Sequence, residues 1–470
     1  MVLHSREIRN PNFCNNVYGN GIILQQHRQR KDRTPDKLRA ELLKKLYDRE
    51  RLSRIGIECL RLPGSEKLDV ASKPNTMHGQ SYFFLFFIAQ VLAASFIGNQ
   101  SEATIEGRYF AVFHQEASIL DRTSFLSRYQ DADIRRYVVG EFDAILGTFD
   151  DSQLEQLLEE DAIDYIEADK PIYTTAKNSP APKLVEGTCS QEENTVTWGL
   201  ERLNQRKLPS PFNYEYVHSL DGTGVDAYIL DSGIEIHHPE FEGRAVWGYN
   251  TADNENRDCM GHGTHTAGTV GSRTYGVAKN VTLIAVKIFG CDEMSRTSRA
   301  VDAMQWIYEQ FLTRKKPAVV NFSASGPFSQ TMNDVISKAT RAGLVYVVAA
   351  GNNEMDACDA SPGSCPDAIT VGATNRYDDF AYFSCWGKCV DILAPGVNIT
   401  STYLHNSTYV MTGTSMSTPH VAGVVALVRS MRPDYTPAQV RGWITRASTK
   451  STITSVPAGT PNYLAYVSCV

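Results

Sequence analysis

The sequence predicts an α/β protein in which helices cover both faces of a parallel sheet, preceded by a small α+β domain. Four apolar runs, at 225–230, 281–289, 318–322 and 344–349, are separated by segments with helical periodicity. Buried apolar strands that alternate with helices are typical of parallel sheets with two covered faces. In such sheets the loops at the carboxyl ends of the strands build the active site.

The smaller domain is predicted between residues 105 and 172. There the strand-like and helix-like segments follow the order strand, helix, strand, strand, helix, strand, which is the ferredoxin-like pattern. The segment 173–196 lacks periodicity and contains SPAP, so it is predicted to be an exposed linker.

Composition excludes some classes of function. The 470 residues are 42% hydrophobic and carry a formal net charge of −7, so the chain can bury a large core but lacks the basic surface that nucleic-acid binding requires. Eight of the 10 cysteines follow residue 188, with no C-x-x-C pair among them. Disulfides in an oxidising compartment therefore fit better than a zinc site.

The run 82–97 is apolar apart from Gln90 and Ser95 and ends on small residues. It is short for a membrane span of about 20 residues, and its end is typical of a signal-peptidase site. We expect a signal peptide at 77–94 and a secreted, extracellular product. Because residues 1–76 contain basic stretches, a signal anchor with a cytoplasmic tail is the alternative.

Three short blocks carry the chemistry. AYILDSG ends a predicted strand with Asp231, GHGTHTAGT opens a helix with His262, and GTSMSTPHVAG opens another with Ser415. A serine nucleophile needs a base within hydrogen-bond reach and a carboxylate that orients this base. A fourth block, VVAAGNN, ends a strand with Asn352, whose amide can donate to an oxyanion. His262 and His265 could instead hold a metal, but no acidic third ligand accompanies them.

The order Asp231, His262, Asn352, Ser415 resembles the subtilisin superfamily from about Trp198 to the C-terminus. GIEIHHPEFEGRA, HGTHTAGTVGSRTYGVAKNV and TVGATNRYD are most similar to the proteinase K and aqualysin group. The resemblance implies a serine endopeptidase that hydrolyses proteins or peptides through an acyl-enzyme, needs no cofactor for catalysis and acts as a monomer.

The resemblance also gives the ferredoxin-like segment a role, because this family uses such a propeptide as folding chaperone and intramolecular inhibitor. We expect an upstream extension at 1–76, the signal peptide at 77–94, a propeptide at 95–188 with its core at 105–172, and the peptidase domain at 189–470. Self-cleavage is expected between Tyr173 and Thr188, since the tail of the propeptide must lie extended along the substrate-binding strand. The alternatives are a binding or regulatory relative that retains its propeptide, and a membrane-anchored processing protease.

In the family, an edge strand pairs with the extended substrate through backbone hydrogen bonds. The implied substrate-binding residues are Ser323, Ala324, Ser325 and Gly326 on one wall of the primary specificity pocket and Ala349, Ala350 and Gly351 on the other. The dipeptide Ala324-Ser325 stands where the family pattern has leucine and glycine. The family resemblance implies that the pocket prefers apolar or aromatic substrate residues, but this difference in sequence leaves the preference open.

Disulfides and a metal complete what the resemblance implies. The pairs Cys259–Cys291 and Cys358–Cys389 match aqualysin-type disulfides, and for the other cysteines we expect Cys365–Cys385 and Cys189–Cys469, a pairing that sequence alone does not fix.

A structural calcium is implied at Asp391 with the carbonyls of Pro366 and Ala368, since oxygen ligands suit calcium. The alternative is that Asp391 is only a strand-end residue. The sequons at Asn398 and Asn406 predict surface glycosylation.

Overall fold

The computed structural model describes residues 94–97, 104–105, 107–129, 133–176, 197–208, 220–291 and 294–467. Contacts between residues divide the chain into Met1–Gln80 and Ser81–Val470, and every described residue belongs to the second unit. The upstream extension and all but the last residue of the expected signal peptide lie outside the described residues, as do Cys189 and Cys469. Within the described ranges, no helix is both long and apolar enough to cross a membrane.

The N-terminal domain has the predicted order of strands and helices from β2 to β5, preceded by a strand, β1, that the sequence did not predict. Its elements are β1 Ser95–Ile97, β2 Arg108–Phe113, α1 Ile119–Arg128, β3 Arg135–Val139, β4 Phe142–Thr148, α2 Asp151–Leu158 and β5 Ile163–Ala168. The sheet order is β1-β5-β2-β4-β3, with β1 parallel to β5 and the other pairs antiparallel. Both helices begin with capping boxes, Ser118 with Asp121 and Asp150 with Gln153, which supply partners for the first free backbone N–H groups.

The C-terminal domain follows. Its strands and helices are α3 Trp198–Leu203, β7 Asp226–Asp231, β8 Ala245–Asn250, α4 His262–Gly271, β9 Thr282–Lys287, β10 Ser295–Arg296, α5 Thr297–Arg314, β11 Ala318–Phe322, β12 Ala324–Pro327, α6 Gln330–Arg341, β13 Val345–Ala349, β14 Ala360–Ser361, β15 Ile369–Thr374, β16 Ile392–Pro395, β17 Ile399–Tyr403, β18 Ser407–Met411, α7 Thr414–Met431, α8 Pro437–Ala447, β19 Thr449–Lys450 and β20 Tyr463–Leu464. Short 3-10 helices occupy Pro239–Phe241 and Ala357–Asp359.

The main sheet has the order β19-β20-β16-β15-β13-β11-β7-β9-β8 and is parallel except for the pair β19 and β20. Residues of α4 and α7 form the core on one face, among them Ala267, Val270 and Val425. Residues of α5 and α6, such as Met304 and Val335, form the core on the other face. The sheet is therefore covered on both faces, as its apolar strands predict.

The two domains share the core on the α5 and α6 side. Strand β2 alternates, so that Phe110 and Val112 belong to the cluster of α5 and α6, whereas Ala111 and Phe113 belong to a separate cluster under α1 and α2. This alternation follows from the two-residue period of a strand. The N-terminal domain therefore packs one face of its sheet on its own helices and the other on α5 and α6.

Residues 173 and 174, which were predicted to begin an exposed linker, belong to a strand. Strand β6, Pro171–Thr174, pairs antiparallel with β12 on one side and with β10 on the other. The extended conformation of Tyr173 and Thr174 therefore depends on partners that are distant in the chain.

Candidate active site

The buried side chains of Asp231 and His262 form a hydrogen-bonded pair. Asp231 is the last residue of β7 and His262 the first of α4. His262 Nδ1 lies 2.7 Å from Asp231 Oδ1 and 2.9 Å from Oδ2. His262 Nε2 is buried and has no hydrogen-bond partner among the described residues. A carboxylate on Nδ1 leaves Nε2 as the nitrogen that can accept a proton.

The approach of α4 to β7 depends on a glycine. A Cβ on Gly263 would lie 2.1 Å from the carbonyl oxygen of Gly233, so any larger residue would push the helix away from the strand end. This close packing brings His262, one residue earlier, within reach of the Asp231 carboxylate.

Asp258 and Ser232 support this pair, and the sequence analysis did not single them out. The Asp258 carboxylate accepts hydrogen bonds from Ser232 Oγ at 2.9 Å, Thr264 Oγ1 at 2.6 Å and Gly261 N at 2.9 Å. Ser232 N in turn donates to Asp231 Oδ1 at 2.7 Å. Burial raises the pKa of Asp258 despite these bonds. A carboxylate four residues before the first residue of a helix was the available signal, because negative charge is favourable near a helix N-terminus.

Ser415 is the second residue of α7, and its neighbours orient Asn352. Asn352 Oδ1 accepts hydrogen bonds from Thr414 N at 3.0 Å and Thr414 Oγ1 at 2.9 Å, which turns its Nδ2 toward Thr175. Ser415 Oγ lies 2.6 Å from Thr175 Oγ1 and donates to the carbonyl of Ser323 at 3.1 Å. Ser415, Asn352 and Thr175 are therefore joined by hydrogen bonds, and the serine hydroxyl is directed to Thr175 and Ser323. Asp231 and His262 form a separate pair, and among the described residues no hydrogen bond joins His262 Nε2 to Ser415.

Two hydrogen-bond donors meet at the carbonyl oxygen of Thr175. It accepts hydrogen bonds from Asn352 Nδ2 and, at 3.4 Å, from the backbone N–H of Ser415. A Cβ on Gly413 would lie 2.1 Å from this oxygen, so the glycine leaves room for it. Two donors on one carbonyl oxygen at the N-terminus of α7 are the arrangement that stabilises negative charge on that oxygen.

The segment before Thr175 lies along the predicted substrate-binding strand. In the antiparallel pairing, Ala324 faces Thr174 and Ser325 faces Tyr173. A Cβ on Gly326 would lie 2.8 Å from the carbonyl oxygen of Pro171, so this glycine permits the close approach of β6. Ser323 contributes its carbonyl to Ser415 Oγ, as described above.

The second wall expected for the specificity pocket, 349–351, and strand β10 also lie near the site. Ala349 ends β13, Ala350 and Gly351 follow it, and Gly351 N donates to Thr414 Oγ1 at 3.3 Å. On the other side of β6, strand β10 pairs with Pro171 and Ile172. The sequence analysis missed β10, since a strand of two residues has no recognisable periodicity.

Two acidic residues that the sequence analysis also missed hold the N-terminal domain on the helices beside the site. Asp169 accepts hydrogen bonds from Ser298 N at 2.9 Å and Ser298 Oγ at 2.7 Å at the start of α5. Glu167 accepts from Thr331 N at 2.8 Å and Gln330 N at 3.2 Å at the start of α6. Burial raises the pKa of both carboxyl groups. Each carboxylate thus satisfies N–H groups that a helix leaves free at its N-terminus.

His265 does not belong to a metal site. Its Nε2 lies 3.0 Å from the carbonyl of Ile399 and 3.1 Å from that of Tyr409, and burial lowers its pKa to about 3. Among the described residues, no group of three or more His, Cys, Asp or Glu side chains is arranged to hold a metal ion. His265 is therefore a neutral core residue that joins α4 to the hairpin of β17 and β18.

The oxygens expected to hold calcium are engaged by an arginine. Asp391 accepts hydrogen bonds from Arg441 Nε at 2.9 Å and from Thr370 N at 2.9 Å. Arg441 also donates to the carbonyl of Pro366, and burial raises the pKa of Asp391. The Arg441 guanidinium lies between the Asp391 carboxylate and the Pro366 carbonyl, where the cation was expected, so these two groups as arranged do not fit a bound calcium.

Both disulfides implied by the resemblance are present, Cys259–Cys291 and Cys358–Cys389. The expected pair of Cys365 and Cys385 is wrong, because both are buried free thiols in different hydrophobic clusters. Cys365 Sγ lies 3.6 Å from Ser337 Oγ, whereas the backbone of Cys385 donates to Gly351 O at 2.9 Å.

Comparison with known proteins agrees with this geometry. Residues 222–462 match the model of the subtilase family, Peptidase_S8. An extracellular serine proteinase of Thermus sp. (strain Rt41A) is 35% identical over 403 residues, which cover 80% of this chain and 93% of that protein. A cuticle-degrading serine protease of Arthrobotrys oligospora is 35% identical over 333 residues, 69% of this chain and 77% of that protein.

Among solved structures, a cold-adapted subtilisin-like serine proteinase matches with a TM-score of 0.55 and 38% identity, covering 58% of this chain and 98% of that one. The predicted fold class and the resemblance to subtilisins are therefore confirmed. The chain belongs to the subtilase family and is a serine-type endopeptidase. Like other members of this family, the chain acts on proteins.

Proposed function

We propose that the chain is a secreted endopeptidase, made as a zymogen that cuts itself after Thr175 and is then inhibited by its own N-terminal domain. The observation that carries the proposal is the Thr175 carbonyl, which accepts from Asn352 Nδ2 and Ser415 N. Secretion is supported by the names of relatives described as extracellular, by the two disulfides and by the apolar run at 82–97. We also propose that the protein is a monomer in solution.

In the proposed reaction, Ser415 Oγ attacks the carbonyl carbon of the scissile bond and gives its proton to His262 Nε2. Asp231 holds the imidazole by its Nδ1 and stabilises the charge that forms on the ring. Asn352 Nδ2 and Ser415 N donate to the oxyanion. The C–N bond then breaks, the amine leaves with the proton from His262, and water hydrolyses the acyl-enzyme in the same way.

The position of Thr175 identifies the bond that the zymogen would cut. Its carbonyl oxygen lies at the oxyanion donors and its hydroxyl lies 2.6 Å from the nucleophile, so the carbonyl carbon attacked is that of the Thr175–Ala176 bond. This bond lies within the window expected from the sequence, Tyr173 to Thr188. After cleavage the strand β6 remains paired with β10 and β12, which supports inhibition by the bound product.

Replacement of the nucleophile tests the proposal. Ser415→Ala is expected to abolish casein hydrolysis and to leave the N-terminal domain covalently attached, whereas the wild type yields a mature chain that begins at Ala176. N-terminal sequencing and intact mass measure both results. Ser430→Ala is the matched control, because Ser430 lies at the far end of the same helix and donates to the carbonyl of Thr223.

A Ser415→Ala protein that is still processed in the absence of other proteases would refute the self-cleaving mechanism. A wild-type N-terminus other than Ala176 would refute the assignment of the bond while leaving the peptidase intact.

Asn352→Ala is expected to lower kcat by about 10²–10³-fold with a much smaller change in KM, because its amide stabilises charge that develops in the transition state. That range comes from subtilisin, a member of the same family. Steady-state kinetics on one peptide substrate separates the two constants. Since Asn352 also binds Thr414, the melting temperature must be measured alongside, and an unchanged kcat would remove Asn352 from the oxyanion role.

A second candidate is a binding protein that cuts itself once and keeps its N-terminal domain. The buried carboxylates of Glu167 and Asp169, both 0% exposed, favour it because they strengthen docking after the cut. Repeated turnover of casein by the purified, processed protein decides between the two functions. A burst of one cleavage per chain without turnover would support retention.

A further inference from the structure

The primary specificity pocket, named here the S1 pocket, lies between the walls 323–326 and 349–351. The following inference rests on the proposed function, since it takes Thr175 as the residue before the scissile bond. Thr175 is 6% exposed, and its Oγ1 lies 2.6 Å from Ser415 Oγ and 3.5 Å from the Ser323 carbonyl. A small side chain thus occupies the entrance of the pocket.

Ser325 narrows the gap between the two walls. A Cβ built on Gly351 would lie 3.4 Å from Ser325 Oγ. Because a C–C bond adds only about 1.5 Å, the Ser325 hydroxyl lies within about 5 Å of the Gly351 α-carbon. An aromatic ring between two walls needs about 7 Å, since each of its faces requires a contact distance of about 3.5 Å. The gap at Ser325 is therefore too small for a ring.

Neither wall is free to move away. Strand β12, which carries Ser325, is paired with β14 and, in the zymogen, with β6, whose place an extended substrate would take in the mature enzyme. On the opposite side the thiol of Cys385 lies 3.0 Å from the Cβ position of Gly351, and the Cys385 backbone donates to Gly351 O at 2.9 Å. Ser325 itself is only 9% exposed, so its hydroxyl has little room outside the pocket.

We propose that Ser325 is a specificity-determining residue that closes the S1 pocket to aromatic and other large side chains. The peptidase then cuts after small residues such as threonine, alanine and serine. This corrects the preference for apolar or aromatic residues that the family resemblance implied. The residue at the zymogen's own cleavage site, Thr175, has the size that this pocket accepts.

Two peptides that reproduce Ile172–Thr175 test the proposal on the mature enzyme. They are Ile-Tyr-Thr-Thr and Ile-Tyr-Thr-Phe, each with a p-nitroanilide leaving group. The wild type is expected to have a kcat/KM at least about tenfold higher for the threonine peptide, as pocket fit of this kind discriminates by about 10–200-fold. Ser325→Gly is expected to reduce this ratio by at least about tenfold. Ser325→Ala, which keeps the Cβ, should have an intermediate ratio.

A third peptide, Ile-Ala-Thr-Thr, is the control for a side chain that does not enter the S1 pocket. The side chain that it truncates corresponds to Tyr173, which is 47% exposed and fills no pocket. Its kcat/KM is expected to remain within about threefold of that of the full threonine peptide.

The zymogen offers an independent test within the full chain. Thr175→Phe is expected to slow self-processing at this bond by at least about tenfold, and a second change, Ser325→Gly, is expected to restore it. Wild-type enzyme that cleaves the phenylalanine peptide as fast as the threonine peptide would overturn the inference, whether or not the variants fold. Absence of cleavage of casein and of both peptides would instead overturn the proposed peptidase.

Discussion

The two domains differ in how they cover their sheets. The C-terminal domain places α4 and α7 on one face of its sheet and α5 and α6 on the other, so its own helices cover both faces. The N-terminal domain covers only one face with α1 and α2. Its other face is completed by α5 and α6 of the C-terminal domain. We therefore expect the N-terminal domain to depend on the C-terminal domain for folding, because its own helices leave one apolar face of its sheet uncovered.

The largest expected effect is the loss of the N-terminal domain's structure when residues 94–176 are produced alone. The face that would lose its cover contains Phe110, Val112, Tyr137, Val139, Phe142, Ala144, Leu146 and Tyr165. Exposure of each of the seven large side chains costs about 1.5–3 kcal/mol, about 10–21 kcal/mol in sum, which is comparable to or greater than the total stability of about 5–15 kcal/mol that a domain has. Circular dichroism is expected to detect an unfolded chain that gains structure on addition of mature enzyme.

The control is the mature enzyme alone, which is expected to unfold cooperatively on heating. A cooperative thermal transition of the isolated N-terminal domain would contradict this expectation, since the domain would then be stable without α5 and α6.

A smaller effect is expected from the acidic residue that joins the domains at α5. Asp169→Ala leaves the N–H of Ser298 without its buried acceptor, which costs about 1–3 kcal/mol and weakens inhibition by about 10–100-fold. Asp169→Asn keeps an acceptor oxygen and should cost much less. Asp164→Ala is the matched control, because Asp164 lies on β5, the strand that ends just before Asp169, and its side chain is 53% exposed.

The measurement is the inhibition constant of each N-terminal domain variant against the mature enzyme. Equal inhibition by the Ala and Asn variants would show that the hydrogen bond to α5 contributes little to docking.

The smallest expected effect is the pH dependence of docking between the N-terminal domain and the mature enzyme. Burial in the docked state raises the pKa of Glu167 and Asp169 above the ordinary values of 4.5 and 3.8. A carboxyl group whose pKa is higher when docked takes up protons on docking, so docking is strongest below these ordinary values. It weakens as pH rises through the raised pKa values and is constant above them. Inhibition constants measured between about pH 4 and 8 should follow this course.

The double variant Glu167→Gln and Asp169→Asn is expected to lose this part of the pH dependence, since an amide does not titrate in this range. Docking that becomes tighter as pH rises in the wild type would contradict the direction derived from burial.

Much of the site could be predicted because its signals are local in the sequence. The strand that ends at Asp231 and the helices that begin near His262 and Ser415 follow from apolar runs and from the motifs themselves. Asn352 follows its strand in the same way. In contrast, β10 has two residues, and nothing local marks Asp169 or Glu167 as partners of helices more than a hundred residues away.

The expected disulfide was wrong and the expected calcium ligands do not fit a cation, and both differences have the same cause. Cys365 and Cys385 are close in sequence, but the fold places them in different hydrophobic clusters. The oxygens of Asp391 and Pro366 suit a cation, but the side chain that reaches them is Arg441, from a helix near the C-terminus. The calcium site rested on the family resemblance and the disulfide on the cysteines that remained, and neither indicates which distant segments pack together.

The sequence alone was enough to predict the parallel sheet, the order of elements from β2 to β5 and the four residues proposed for catalysis, because periodicity and short motifs act over a few residues. Only the tertiary structure decided that Thr175 presents its carbonyl to Asn352 and that Ser325 faces Gly351. These contacts join segments that are far apart in the chain. Their distances depend on how strands pair and how walls pack, which no local pattern encodes.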